Sequence, residues 1–260
     1  MADVWQLFWL CLAAAAGGVV NAVAGGGTLI TFPTLIWVLG DGDEQSVQAN
    51  ATSTFALFPG SIASMWGYRR EIAQTRHWLR ALLLPSIIGS ILGSYLTLLS
   101  PAVFKQLVPW LILLASALFL LQPLIARWTG IGQPHAAPTT ATMTGIIVLQ
   151  FFIAVYGGYF GAGIGILMLS GLALMGIADI HLMNGLKTVL ATVINGLAVA
   201  NFVLNGKVVW SIALPMTVAA IIGGFVGAAT ARKLNRVMVR WIVIAIGVGL
   251  SGYYFWKTYG

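Results

Sequence analysis

Two glycine-rich stretches hold the residues of this sequence best suited to chemistry: "AVAGGGTLITFP" at 22–33 and "GGYFGAGIG" at 157–165. Each interrupts a long apolar run that resumes at once, so each marks a helix that stops and restarts. A restarting helix exposes backbone N–H groups and the positive end of its dipole, and these can hold an anion with no charged side chain. Gly25, Gly26 and Gly27 permit the first turn and Thr28 opens the new helix; Gly161, Gly163 and Gly165 belong to the second. Asn21, Thr52, Ser53, Thr188 and Asn195 add amide and hydroxyl donors suited to oxyanion oxygens. Lys187 is the one cation well inside an apolar segment, where a charge is a functional candidate by default. The competing readings are structural. Glycines also serve close helix packing, hydroxyls and amides bond helix to helix, and a lysine can snorkel to the interface.

Catalytic constellations are missing. There is no H-E-x-x-H, no G-x-S-x-G and no P-loop, because "AGGGTL" lacks the lysine and the length of a phosphate cradle. Of the six acidic residues, Asp3, Asp41, Asp43 and Glu44 fall in a tail and a loop, and Glu71 and Asp179 at the edge of apolar segments. No buried carboxylate pair is left for acid–base work or for a metal. The single cysteine, Cys11, rules out an internal disulfide framework. Neither a cofactor nor a metal is expected.

The elements that must position the glycine turns follow from composition. Of 260 residues 59% are hydrophobic and 7% charged, too few polar side chains to cover a soluble globule. The thirteen Lys and Arg behind the net charge of +7 are scattered singly or in small groups, with no basic face for nucleic acid. The sequence therefore predicts an all-α integral membrane protein. Apolar runs occur near 4–23, 28–39, 50–66, 78–99 and 106–126, then near 141–157, 164–178, 182–204, 208–229 and 237–257. The first lacks a basic n-region and reads as a retained helix rather than a signal peptide. The second, about 12 residues or roughly 18 Å of helix, is too short to cross a 30 Å core alone.

The two sets of five look duplicated. "AGGGTLI" lies over "AGIGILM", Thr52 over Thr188, and "GSILG" at 89–93 over "GGFVG" at 223–227. The expected organisation is one transporter domain over 1–260: repeat 1 at 1–126, a linker at 127–140 and repeat 2 at 141–260. Gly89→Ala, in a packing motif away from the breaks, is expected to be milder than enlarging Gly26 or Gly163 to Val. Charge sets the orientation. Arg69, Arg70, Arg76, Arg80, Arg127, Arg232, Lys233, Arg236 and Arg240 fall on one side and Lys105, Lys207 and Lys257 on the other if the repeats are inverted. By the positive-inside rule the nine are cytoplasmic, and "GDGDEQ" and both termini lie outside. Inverted repeats whose broken helices meet at mid-membrane are a plan of secondary transporters.

The stretches "GGVVNAVAGGGTLITFPTL", "QANATSTFALFPGSIASMWGYR", "GGYFGAGIGILMLSGL" and "NGLKTVLATVINGLAVANFVLNGKVVW" resemble the TauE/SafE family of sulfite and organosulfonate exporters. The resemblance covers nearly the whole chain. It implies a multi-pass protein of the bacterial inner membrane that moves a small sulfur-containing anion outward, by alternating access at a midplane site. The partners implied are that anion and the lipid bilayer, with a homodimer left open and nucleic acid excluded. A passive anion channel is the alternative, and an intramembrane enzyme a more distant one. "GLKTV" stands where the first half has "NATST", so repeat 2 carries a lysine that repeat 1 lacks.

Overall fold

In the computed structural model, residues 3–23, 26–129, 139–175, 177, 179–230 and 236–259 are described, and they form helices with no strand among them. The order is α1 (Val4–Val23), α2 (Thr28–Leu39), α3 (Asp43–Gly67), α4 (Arg69–Gln74), α5 (Arg76–Leu99), α6 (Pro101–Trp128), α7 (Thr140–Tyr159), α8 (Ile164–Ala173), α9 (Ile180–Leu204), α10 (Trp210–Thr230) and α11 (Arg236–Tyr259). Six of the described helices, α1, α5, α6, α7, α9 and α10, are long and apolar enough to cross a membrane. Helices α2 and α8 are apolar but short, at 12 and 10 residues. Gly25, Arg232, Lys233 and most of the 127–140 linker lie outside the described residues.

All ten apolar runs become helices. Helix α3 starts at Asp43 instead of near 50, because Asp43 and Glu44 occupy its first turn, where the positive end of the helix dipole stabilises carboxylates. Helix α8 ends at Ala173, short of the 178 expected.

Close packing comes from glycines. Helix α1 lies along α10 and α7 along α5. At the first contact, Gly18 faces the Ala220 carbonyl and Gly223 faces that of Ala15. At the second, a methyl group on Gly89 would sit 2.6 Å from the Phe151 carbonyl oxygen and 2.8 Å from Ala154 Cβ. Alanine at Gly89 therefore presses on α7 directly: the packing motif is the helix contact itself. A row of buried hydroxyls on α5 ties it to both α7 and α9. Ser90 Oγ donates to the Ile194 carbonyl at 2.6 Å, and Thr97 Oγ1 to that of Tyr159 at 3.0 Å. Gln150 Nε2 donates to Ser86 Oγ at 2.9 Å, and Asn201 Nδ2 to Ser94 Oγ at 3.0 Å. Such bonds replace the hydrophobic drive that lipid does not provide.

Two further crossings hold the centre. Helices α6 and α11 meet where Ser116 contacts Gly247, and Ser251 Oγ donates to the Pro109 carbonyl at 3.0 Å. Helix α3 crosses α9 where the Phe58 ring covers Gly196 and Thr192 Oγ1 donates to the Ser61 carbonyl at 3.2 Å. Lys105, Lys207 and Lys257 gather at one end of the molecule, paired with Asp43, Glu44 and Asp41. Arg69 and Arg70 open α4, and Arg76 and Arg80 lie in the first turns of α5, beyond the other end of α3.

Candidate functional site

Both breaks lie against the middle of α6. The Phe119 ring covers Gly26, while Ala115 and Leu118 approach Gly163, with a methyl there 3.6 Å from Leu118 Cδ1. Since α6 runs from Pro101 to Trp128, these contacts fall near its midpoint.

The first break is closed on itself. Gly27 has φ −55°, an ordinary helical value, so its lack of a side chain serves the backbone of Gly17, which it touches. The amide of Leu29 donates to the Gly26 carbonyl at 3.1 Å, and those of Ile30 and Thr31 to the Gly27 carbonyl at 3.0 and 3.1 Å. Ser53 is spent on Thr31, hydroxyl to hydroxyl at 2.6 Å. Thr52 Oγ1, fully buried, accepts the Val209 amide at 3.1 Å and so caps the approach to α10. Asn21 and Thr28 flank the break, both half-buried.

The second break is built differently. Gly161 and Gly163 have φ of +80° and +78°, left-handed conformations that side chains disfavour. The amides of Phe160 and Gly161 donate to the Tyr156 carbonyl at 2.9 and 3.1 Å, and the Tyr156 hydroxyl donates to the Ala162 carbonyl at 2.7 Å. One tyrosine therefore brackets the turn from both sides. The amides of Gly163 and Gly165, at the start of α8, meet no acceptor among the described residues. Beside them runs the Lys187 stem: a methyl on Gly165 would lie 3.6 Å from Lys187 Cδ. The ammonium donates to Asn184 Oδ1 at 3.0 Å, one turn back along α9. Asn195 Oδ1 would lie 3.8 Å from a methyl on Gly161. Thr188 is buried next to Lys187 in the chain, with 8% exposure.

The structure thus gathers Gly161, Gly163, Gly165, Lys187 and Asn195 at one break, and gives Thr52 and Ser53 bonding partners within the protein. Sequence reasoning missed Tyr156 and Phe119. The tyrosine had a signal, since it precedes the glycine turn by one helical turn; Phe119 had none. The 830 Å³ groove between α1, α2 and α11 is not an anion site, because Trp5, Trp9, Ile30, Trp37 and Leu250 give it an apolar lining.

The family profile described as sulfite exporter TauE/SafE matches residues 10–254. The chain belongs to the TauE/SafE family. A probable membrane transporter protein of Haemophilus influenzae is 26% identical over 86% of this chain and 85% of its own length. The probable membrane transporter protein YfcA of Escherichia coli K12 is 24% identical over 98% of this chain and 90% of its own, and a probable membrane transporter protein of a Sinorhizobium species is 25% identical over 94% and 90%. No solved structure matches. This TauE/SafE member is a multi-pass membrane transporter.

Proposed function

We propose that this TauE/SafE protein exports a small sulfur oxyanion, sulfite or an organosulfonate, by alternating access between two inverted repeats. The observation that carries the reading is the start of α8, where the Gly163 and Gly165 amides meet no acceptor among the described residues and the Lys187 stem lies against Gly165. Unpaired amides at membrane depth persist only where a cavity or a ligand meets them. An anion supplies acceptors for the amides and a counter-charge for the lysine. Asn195 and Thr188 are additional donors from α9, and Gly161 with Gly163 shapes the turn. The α2 break, whose Leu29, Ile30 and Thr31 amides are already bonded, contributes shape more than donors.

The helix pairings support the repeat. Exchanging the halves maps the α1–α10 contact onto α7–α5 and leaves the α3–α9 and α6–α11 crossings in place. The charge separation supports the orientation: the end bearing Arg69, Arg70, Arg76 and Arg80 faces the cytoplasm of a bacterial inner membrane, and the Asp41–Glu44 end faces outward. Sulfite counterflow into proteoliposomes tests the function. Saturable exchange without resolvable single-channel currents is the expected result. Currents that do not saturate would replace the exporter with a passive channel, and no sulfite or sulfonate flux at all would overturn the reading.

A further inference from the structure

One short acidic stretch ties three separate parts of the molecule together. Asp41 Oδ2 is 2.9 Å from Lys257 Nζ in the last turn of α11, and Glu44 Oε2 is 2.6 Å from Lys207 Nζ in the α9–α10 link. Asp43 Oδ1 is 3.7 Å from Lys105 Nζ near the start of α6. These acids occupy the turn that joins the short helix α2 to α3. The Val209 amide, two residues past Lys207, is tied to the same helix by Thr52. Lys105 and Lys257 also face each other across a 410 Å³ cleft with Asp41, Asp43 and Gln106.

The opposite end has the contrary electrostatics. Arg69, Arg70, Arg76, Arg80 and Arg127 lie there, and among the described residues no ion pair joins them to a carboxylate. Opposite charges draw one end together, whereas arginines outnumber the carboxylate of Glu71 at the other. The pairs are partly solvated, with Glu44 and Asp43 side chains each 52% exposed, so each holds weakly and breaks readily.

We propose that Asp41, Asp43 and Glu44 with Lys257, Lys105 and Lys207 form an electrostatic latch that closes this end of the transporter and opens during the transport cycle. Helix α2 cannot move away from α6, α10 and α11 at this end while all three pairs hold. The link from latch to cycle rests on the alternating-access reading; the latch itself is measured without substrate.

The test places one cysteine under the latch. Val47 is fully buried on α3, one turn beyond Asp43. In a Cys11→Ala background, Val47→Cys protein in nanodiscs is labelled with a membrane-impermeant maleimide. Glu44→Gln should speed labelling about two- to five-fold, and Asp41→Asn with Asp43→Asn and Glu44→Gln about ten-fold or more. The swap Glu44→Lys with Lys207→Glu should return the rate to within about two-fold of the parent, which separates latch opening from misfolding. A triple variant labelled no faster than its parent overturns the latch, as does a charge swap as fast as the triple variant. If the parent carries no sulfite, the transport reading falls while the labelling still decides the latch.

Discussion

Gly165→Ala separates a glycine kept for a ligand from a glycine kept for packing. A methyl at Gly165 meets only Lys187 Cδ, at 3.6 Å, an ordinary van der Waals contact, and Gly165 is not among the positive-φ glycines. The folded protein should accept it. Alanine in a helix is favoured over glycine by about 0.5–1 kcal/mol, which at this size raises Tm by about 1–4 °C. Ligand binding should move the other way. An oxyanion approaching the Gly165 amide must share that space with the methyl, and losing one hydrogen bond to a charged group costs about 1.5–3 kcal/mol. At 1.4 kcal/mol per factor of ten, the sulfite Kd should rise about 10- to 150-fold. Thermal unfolding and equilibrium binding on the same purified sample read both numbers. A Kd within about two-fold of the parent, in a variant of equal or higher Tm, would refute a site built on the α8 amides.

Other perturbations have equally definite outcomes. Gly93→Ala should lower Tm in detergent, because its methyl would overlap the Val155 carbonyl and lie 2.9 Å from the Tyr159 amide; forcing α5 and α7 apart costs about 1–3 kcal/mol. Lys187→Gln should raise the sulfite Kd about ten-fold or more and weaken dianions more than monoanions, as measured by competition binding; an unchanged Kd would leave the ammonium bound to Asn184 in every state. Single cysteines at Gln74 and Asn205, both exposed, should label from opposite sides of intact cells in the Cys11→Ala background; labelling from the same side would end the inverted arrangement.

Length and composition made the helices legible. The α1 and α2 spans match their apolar runs at both ends, and α8 begins at Ile164, where its run begins. Helix α4 was not legible, since six residues with two arginines carry no apolar period. The early start of α3 was hidden for a related reason: its first turn is held by carboxylates at a helix N-terminus, which a count of apolar residues does not weigh. At the site, the glycines at 161 and 163 were readable because a tight turn between apolar runs calls for them. Thr52 and Thr188 aligned in sequence, but the partner of Thr52 is a backbone amide 157 residues away, and no local pattern encodes that. The same holds for the three ion pairs, whose partners meet only once four helix ends converge.

The two breaks face one physical problem and solve it in different ways. A helix restarted at membrane depth must satisfy its first amides, because each one left bare in hydrocarbon costs several kcal/mol. The first break gives the Leu29, Ile30 and Thr31 amides the Gly26 and Gly27 carbonyls as acceptors, with Gly17 and the Phe119 ring pressed against the turn. The second holds its turn with the Tyr156 hydroxyl, bonds the Ile164 and Ile166 amides to the Gly161 and Gly163 carbonyls, gives the Gly163 and Gly165 amides no acceptor among the described residues, and lays the Lys187 stem beside Gly165. In register with Lys187 the first half has Ala51, fully buried among Ala198, Phe202 and Val208. If both breaks bound anions alike, two negative charges would sit near one midplane in low dielectric and repel each other. Under the proposed reading, donors and a cation confined to one half would leave a single seat, with the other half as the wall against which it moves.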